Sequence, residues 1–368
     1  MKNDRYLLYA LLGIITVFLT SGCTQVSYFS QAAHGQLCLL SNARPIDDWL
    51  ANPNLNGRLR AKLIKVKHIR QFAARELGLP DNRSYTNYAE LQRPFVLWNV
   101  VATGELSLDQ LSWCFPIAGC VSYRGYYSKT DAQNYANTLR LQGMDVQVAG
   151  VPAYSTLGWF NDPVLSTFIH YPDAELARLI FHELAHQVVY VKDDTQFNES
   201  FATAVEEVGV EQWLKRQSDP QVEKTYLEYE QRKKDFLALL LKHRAALEKN
   251  YKLPVSDEIK RQRKAEIFKA LKDDYRLLKI GWGGYTGYDR WFAEPLSNAH
   301  LASVATYHDF VPAFRALFDE QKSFSKFYST VRELAKLNKK MRHQQLTLKT
   351  ENLVEPKHII SSPVRLVH

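Results

Sequence analysis

The 368-residue chain is 46% apolar and 23% charged, with 14 Pro and 16 Gly, which excludes wholesale disorder and a collagenous or linker-dominated chain. Four Cys are too few for a disulfide scaffold. Against 39 Asp and Glu stand 47 Lys and Arg, a net +8 and a mild basic excess that calls for no nucleic-acid partner.

The chain opens with Lys2 and Arg5, then an apolar run from Tyr6 to Thr20, then Ser21-Gly22-Cys23. This is the order of an export signal, and its apolar run falls short of the ~20 residues a helical span needs. The ending resembles a bacterial lipobox, with Thr20 at the position where that pattern prefers Leu. The resemblance implies that residues 1–22 are a lipoprotein signal peptide and that Cys23 carries lipid. Because Thr24 rather than Asp follows, it also implies an outer-membrane lipoprotein facing the periplasm of a Gram-negative bacterium. An uncleaved N-terminal anchor is the alternative, and either one tethers the protein to a membrane from outside the cytoplasm.

Residues 23–172 read as an α/β part. Trp49, Leu50, Leu59, Leu63, Val66, Ile69 and Ala73 recur at helical steps within 24–80. Phe95–Thr103 is β-branched and aromatic, a buried strand, and Gly119–Tyr127, Met144–Gly150 and Ser155–Phe160 follow as strands around a helix at Ala132–Leu141. Cys114 and Cys120 bracket a Pro/Gly turn that brings them within bridging range, so they are candidates for a disulfide in an oxidising compartment. Helices dominate residues 173–345, and 346–368 form a C-terminal tail. The fold class is therefore α+β, a small sheet followed by a helical body. Within that body, 211–280 reads as a long antiparallel helical hairpin broken at Leu253-Pro254. It carries 18 Lys and Arg against 12 Asp and Glu. Its surface is either a solvated face of mixed charge or one that meets anionic lipid headgroups or another acidic envelope polymer.

The chemistry sits in Phe181-His182-Glu183-Leu184-Ala185-His186-Gln187, an H-E-x-x-H in a helical pattern that Asp173 is placed to cap. Positions four apart share a helix face, so His182 and His186 present two imidazoles to one metal ion. Glu183 stands beside them, free to act as general base. Twelve residues separate His186 from Glu199, which opens a second helix after the Asp193-Asp194-Thr195 turn and supplies a third ligand. Two His and one Glu form a catalytic site for one Zn2+ per chain, with an open position for water. Glu206, two turns beyond Glu199, returns to the same face, either to orient a ligand or to receive a substrate amine.

Asn198-Glu199-Ser200-Phe201-Ala202 with Glu206 is similar to the N-E-G-F-A-x-x-x-E segment of the gluzincin aminopeptidases, with Ser200 in place of Gly and a shorter interval from the second His. The match implies Glu199 as zinc ligand and a zincin-like body. More of the chain, from Tyr28 to about Phe314, resembles the bacterial family of predicted aminopeptidases, exported lipoproteins. The strings that carry it include Trp113-Cys114-Phe115-Pro116, Gly119-Cys120-Val121-Ser122-Tyr123-Arg124-Gly125 and Ala153-Tyr154-Ser155-Thr156-Leu157-Gly158-Trp159-Phe160. This resemblance implies a zinc peptidase, an aminopeptidase, acting on peptide substrate with Glu183 as base. It also implies an edge strand at Tyr154–Phe160 and a downstream Tyr as oxyanion donor, with Tyr285, Tyr288 and Tyr307 as candidates. A zinc endopeptidase and a non-enzymatic envelope lipoprotein on the same scaffold are the alternatives.

Overall fold

The computed structural model describes residues 26–115, 119–217, 220–308 and 310–354; the segment read as an export signal and Cys23 lie outside them. Helices α1 (26–41), α2 (Ile46–Ala51) and α3 (Gly57–Arg75) account for most of the first eighty residues, as the periodicity requires. The Asn56 carboxamide oxygen accepts from the amides of Arg58 and Leu59 at 2.9 and 3.3 Å and so starts α3. Its apolar stripe, Leu63, Val66, Ile69 and Ala73, is fully buried.

Strands β1 (Arg44–Pro45), β2 (Asn87–Ala89), β3 (Leu97–Gly104), β4 (Trp113–Phe115), β5 (Gly119–Val121), β6 (Arg124–Tyr126), β7 (Met144–Val151) and β8 (Val164–Leu165) assemble into three small sheets rather than one. In the largest, β3 runs antiparallel between β6 and β7. Trp98, Val100 and Ala102 on one face of β3 pack on Ala132, Ala136 and Leu139 of α4 (Lys129–Leu141). The segment read as one strand at Gly119–Tyr127 is split by Ser122-Tyr123. Cys114 and Cys120 face each other across the β4–β5 ladder and are joined as a disulfide.

Tyr154–Phe160 is not a strand. Leu157 and Gly158 both take positive φ, 56° and 83°, and the Asp162 carboxylate accepts from the Thr156 amide at 2.9 Å and its hydroxyl at 2.7 Å. A side chain thereby satisfies an amide that a β-ladder would have used, and the chain turns.

The helical part comprises α5 (Asp173–Ala185), α6 (Thr195–Gln217), α7 (Pro220–Tyr251), α8 (Asp257–Gly281), α9 (Asp289–Phe292), α10 (Asn298–His308), α11 (Val311–Gln321), α12 (Phe324–Lys336) and α13 (Lys339–Val354). Residues 211–217 belong to α6, so the segment read as 211–280 divides between α6 and the α7–α8 pair. Contacts 235–282, 243–274 and 250–260 set α7 and α8 side by side in opposite directions. Ile259, near the start of α8, is exposed. Much of the positive charge there is paired, with Lys264 on Asp145, Lys242 on Asp274 and Arg261 on Glu105. Among the described residues, no helix is long and apolar enough to cross a membrane.

α13 runs past the tail boundary expected at residue 346, and Leu346 is buried. The reason is a clamp on the turn between α5 and α6. Asp194 is buried and accepts from Arg342 at 2.5 and 2.9 Å and from His343 at 2.8 Å, while also capping the Phe197 amide at 3.3 Å. Burial works against ionisation of Asp194, yet the hydrogen bonds from His343 and Arg342 hold its carboxyl below the ordinary range. A carboxylate depressed in the folded state stabilises it above the unfolded value and loses that contribution as pH falls through the folded value, below about pH 4. Asp194→Ala leaves Arg342 buried without its partner and is expected to cost about 3–5 kcal/mol at neutral pH. It should also flatten the acid limb of stability, which urea unfolding at neutral and acid pH will measure.

Candidate metal centre

α5 is apolar almost all round: Leu176, Ala177, Ile180, Phe181, Leu184 and Ala185 are buried, so the helix lies within the core. Asp173 does not cap it. The N-cap is Pro172, and Asp173, in the first turn, pairs with Lys62 at 2.7 Å and Lys65 at 3.2 Å, tying α5 to α3. Negative charge there also suits the helix dipole. α6 crosses close by because Gly209 has no side chain. A Cβ at that position would stand 2.7 Å from Leu77 and 2.9 Å from Phe181.

Glu199 lies one turn into α6, which starts at Thr195, rather than at its opening. Asn198 fixes the approach: its amide group both donates to and accepts from the Val191 backbone at 2.8 Å. Ser200, where the gluzincin segment has Gly, is fully buried and its hydroxyl accepts from the Phe310 amide at 3.4 Å. The hydroxyl thus has a structural partner.

Three donor atoms converge. The Nε2 atoms of His182 and His186 lie 3.2 Å apart, and Glu199 Oε2 lies 3.3 Å from the first and 3.7 Å from the second. His182, His186 and Glu199 form a group that can hold a metal ion. His182 and Glu199 keep 17% and 14% of their side-chain surface exposed, so the group is reached from solvent.

The electrostatics follow from burial opposed by charge. Burial pulls the His182 imidazole down, but Glu199 and Glu206 outweigh it and lift it to about 10; His186, more weakly compensated, is lowered to about 4 by burial. Burial opposes ionisation of Glu199, and His186 and His182 hold it below the usual carboxylate range. Among the described residues Glu183 makes no compensating ion pair, and burial raises it to about 7.

Glu206 is buried and turns to the ligand side. Its Oε2 lies 2.8 Å from His182 Nδ1, and both its oxygens lie 3.1 Å from Arg178 Nη1. Burial again opposes ionisation, but Arg178, Lys233 and His182 keep Glu206 ionised. An ionised carboxylate can only accept, so His182 Nδ1 keeps its proton, and displacement of the Nε2 proton by a metal ion would leave that lone pair facing the centre. No such partner meets His186 Nδ1 among the described residues. Glu206→Gln is expected to weaken metal affinity roughly 10–100-fold, as loss of an outer hydrogen-bond partner does; a chelator competition assay measures it.

A model of the family described as "Putative aminopeptidase" matches residues 27–346. The chain belongs to this family. No curated protein and no solved structure matches it.

In this family member, two of the three tyrosines read from sequence as oxyanion candidates have described side chains. Tyr288 stacks on Phe236 at 3.9 Å and has Tyr285, Glu175, Glu230 and Arg178 as its charged and polar neighbours. Tyr285 lies under the Arg232 guanidinium at 4.7 Å. The side chain of Tyr307 lies outside the described residues. Two other tyrosines lie within electrostatic reach of the centre. Tyr123 is raised by burial and then by the charges of Glu199, Tyr190 and Glu183; Tyr85 is raised by burial and by Glu183. Sequence reading passed over Tyr123 although it sits in the Gly119–Gly125 string, three residues after Cys120. Cys120 also fixes that strand to the inter-ligand turn, its amide donating to Asp193 Oδ1 at 2.5 Å. Arg178, one turn before His182 on the same helix face, was likewise missed, because its role depends on Glu206 arriving from another helix.

Proposed function

We propose that the protein is a zinc-dependent aminopeptidase that hydrolyses peptides with Glu183 as general base, held at the outer membrane by lipid on Cys23. The convergence of His182, His186 and Glu199 beside an unpaired Glu183, in a chain of this family, carries the reading. The donor set suits zinc. Bonds of about 2.0–2.1 Å in a tetrahedral array put donors roughly 3.3 Å apart, and the observed separations are 3.2, 3.3 and 3.7 Å. When bound, zinc supplies a Lewis acid that acidifies water and polarises a peptide carbonyl.

The protein's own residues do the rest. A Glu183 carboxylate poised near neutrality takes a proton from the attacking water and returns it to the leaving amine. Glu206 keeps His182 in the tautomer and orientation a ligand needs. Tyr123 donates its hydroxyl hydrogen to the developing oxyanion; burial keeps the phenol protonated for that purpose. Tyr123→Phe is expected to lower kcat by about 10²–10³-fold with KM and bound zinc unchanged. Steady-state kinetics with metal analysis on one preparation separates that from a structural effect.

Zinc stoichiometry on residues 24–368, with hydrolysis of peptides whose N-termini are free or blocked, tests the function. One zinc per chain with cleavage of free peptides alone supports the aminopeptidase. Cleavage of blocked peptides makes it an endopeptidase. A folded sample with neither metal nor cleavage leaves a non-enzymatic envelope lipoprotein.

A further inference from the structure

A cavity of about 390 Å³ opens between the start of α5 and the first turns of α7, away from the ligand triad. Its walls are largely aromatic and apolar, with Tyr226, Tyr229, Tyr285 and Pro172, and Glu175 lines it as well. Glu175 is 7% exposed. One of its oxygens, Oε2, accepts from Arg178 Nε at 2.8 Å, whereas Oε1 has no hydrogen-bond partner among the described residues. Buried polar atoms are nearly always matched, and an unmatched carboxylate oxygen in a cavity wall marks a place a donor completes.

The surrounding charges say which donor. Arg178 is shared between Glu175 and Glu206, and Lys233 lies 3.6 Å from both Glu206 and Glu230. With His182 neutral, as metal ligation requires, three carboxylates face two cations. Arg232 at the rim is engaged elsewhere, over the Tyr285 ring and 3.3 Å from Glu228. One positive charge would balance the group, and tyrosine faces favour a cation. A guanidinium asks for both oxygens of a carboxylate, and Arg178 already holds one. An ammonium needs a single acceptor and brings an apolar stem to the walls.

We infer that this cavity is a binding subsite for a primary ammonium on an alkyl stem, with Glu175 Oε1 as its acceptor. Glu175 precedes His182 by seven residues, two turns along the same face of α5, or about 10.5 Å. That is roughly three residues of extended chain. Resting on the peptidase reading, the ammonium belongs to a substrate peptide lying across the metal centre and comes from either a Lys side chain or an upstream N-terminus.

The first experiment does not depend on hydrolysis. Calorimetry with n-pentylammonium on the folded chain is expected to show saturable binding at least tenfold tighter than n-pentanol. Glu175→Gln should erase that preference and leave pentanol binding unchanged. Because this change also disturbs Arg178, Thr225→Trp, at an exposed position on the cavity wall, supplies a second variant. It should block both probes with Tm unchanged. Equal ammonium affinity in the wild type and Glu175→Gln, or no preference over pentanol, overturns the subsite. The second experiment compares kcat/KM for peptides carrying Lys or norleucine and a free or acetylated N-terminus. The arm whose penalty disappears in Glu175→Gln identifies the source of the ammonium, and a penalty that persists in both arms overturns the substrate role. If no peptide is cleaved while pentylammonium still binds, the peptidase reading falls and the subsite stands.

Discussion

Glu183→Gln is expected to bind zinc as the wild type does and to lose about 10²–10⁴ in kcat, the span of a general base. Gln matches Glu in shape but cannot take a proton. Among the described residues Glu183 makes no ion pair, so the substitution removes no such partner there. The group that can hold a metal ion consists of other residues, His182, His186 and Glu199, whose donor atoms converge without Glu183. Burial raises Glu183 to about 7, which suits a group that must accept a proton in one step and release it in the next. Metal analysis beside turnover on the same sample decides the outcome. Loss of zinc would mean that Glu183 is a ligand, and retained turnover would mean that another group is the base.

Removing the third ligand has the larger effect on the metal. Glu199→Ala takes away the only anionic donor of the triad, at 3.3 and 3.7 Å from the two imidazoles, and leaves a pair of neutral nitrogens 3.2 Å apart. Zinc affinity should fall further than the roughly 10–100-fold expected for Glu206→Gln, because Glu206 acts only through the His182 ring. Competition against a chromophoric chelator, run on both variants, gives the order directly. An affinity unchanged in Glu199→Ala would point to a different third ligand. The opposite order, with Glu206 the more costly loss, would make Glu206 a ligand itself.

The α+β organisation was legible in the sequence because periodicity reports burial. The helix at Ala132–Leu141, the strands at Phe95–Thr103 and Met144–Gly150, and the helices after Asp173 all recur within a few residues of where the apolar spacing puts them. The misreadings share a cause. Tyr154–Phe160 has strand composition, but Asp162 captures the Thr156 amide, a contact six residues long that no two-residue period contains. Asp173 has the chemistry of a cap, but two lysines of α3 draw it into ion pairs. The tail was read as beginning at 346, yet Arg342 and His343 reach back to Asp194, a partner nearly 150 residues earlier.

The sequence by itself pointed to the group that can hold a metal ion, since H-E-x-x-H on a helix puts two imidazoles on one face and the chain offers Glu199 on the following helix. It also put Glu183, the proposed base, between the two His. Only the tertiary structure decided which side chains surround that group. Glu206 meets His182 because Gly209 lets α6 lie close to α5, Tyr123 follows directly on a strand fastened to the inter-ligand turn, and Tyr288 stacks on Phe236 of α7. Ligand spacing is a property of one helix and is written locally. The surrounding shell depends on how separate helices and strands pack, and packing is set by contacts between residues far apart in the chain.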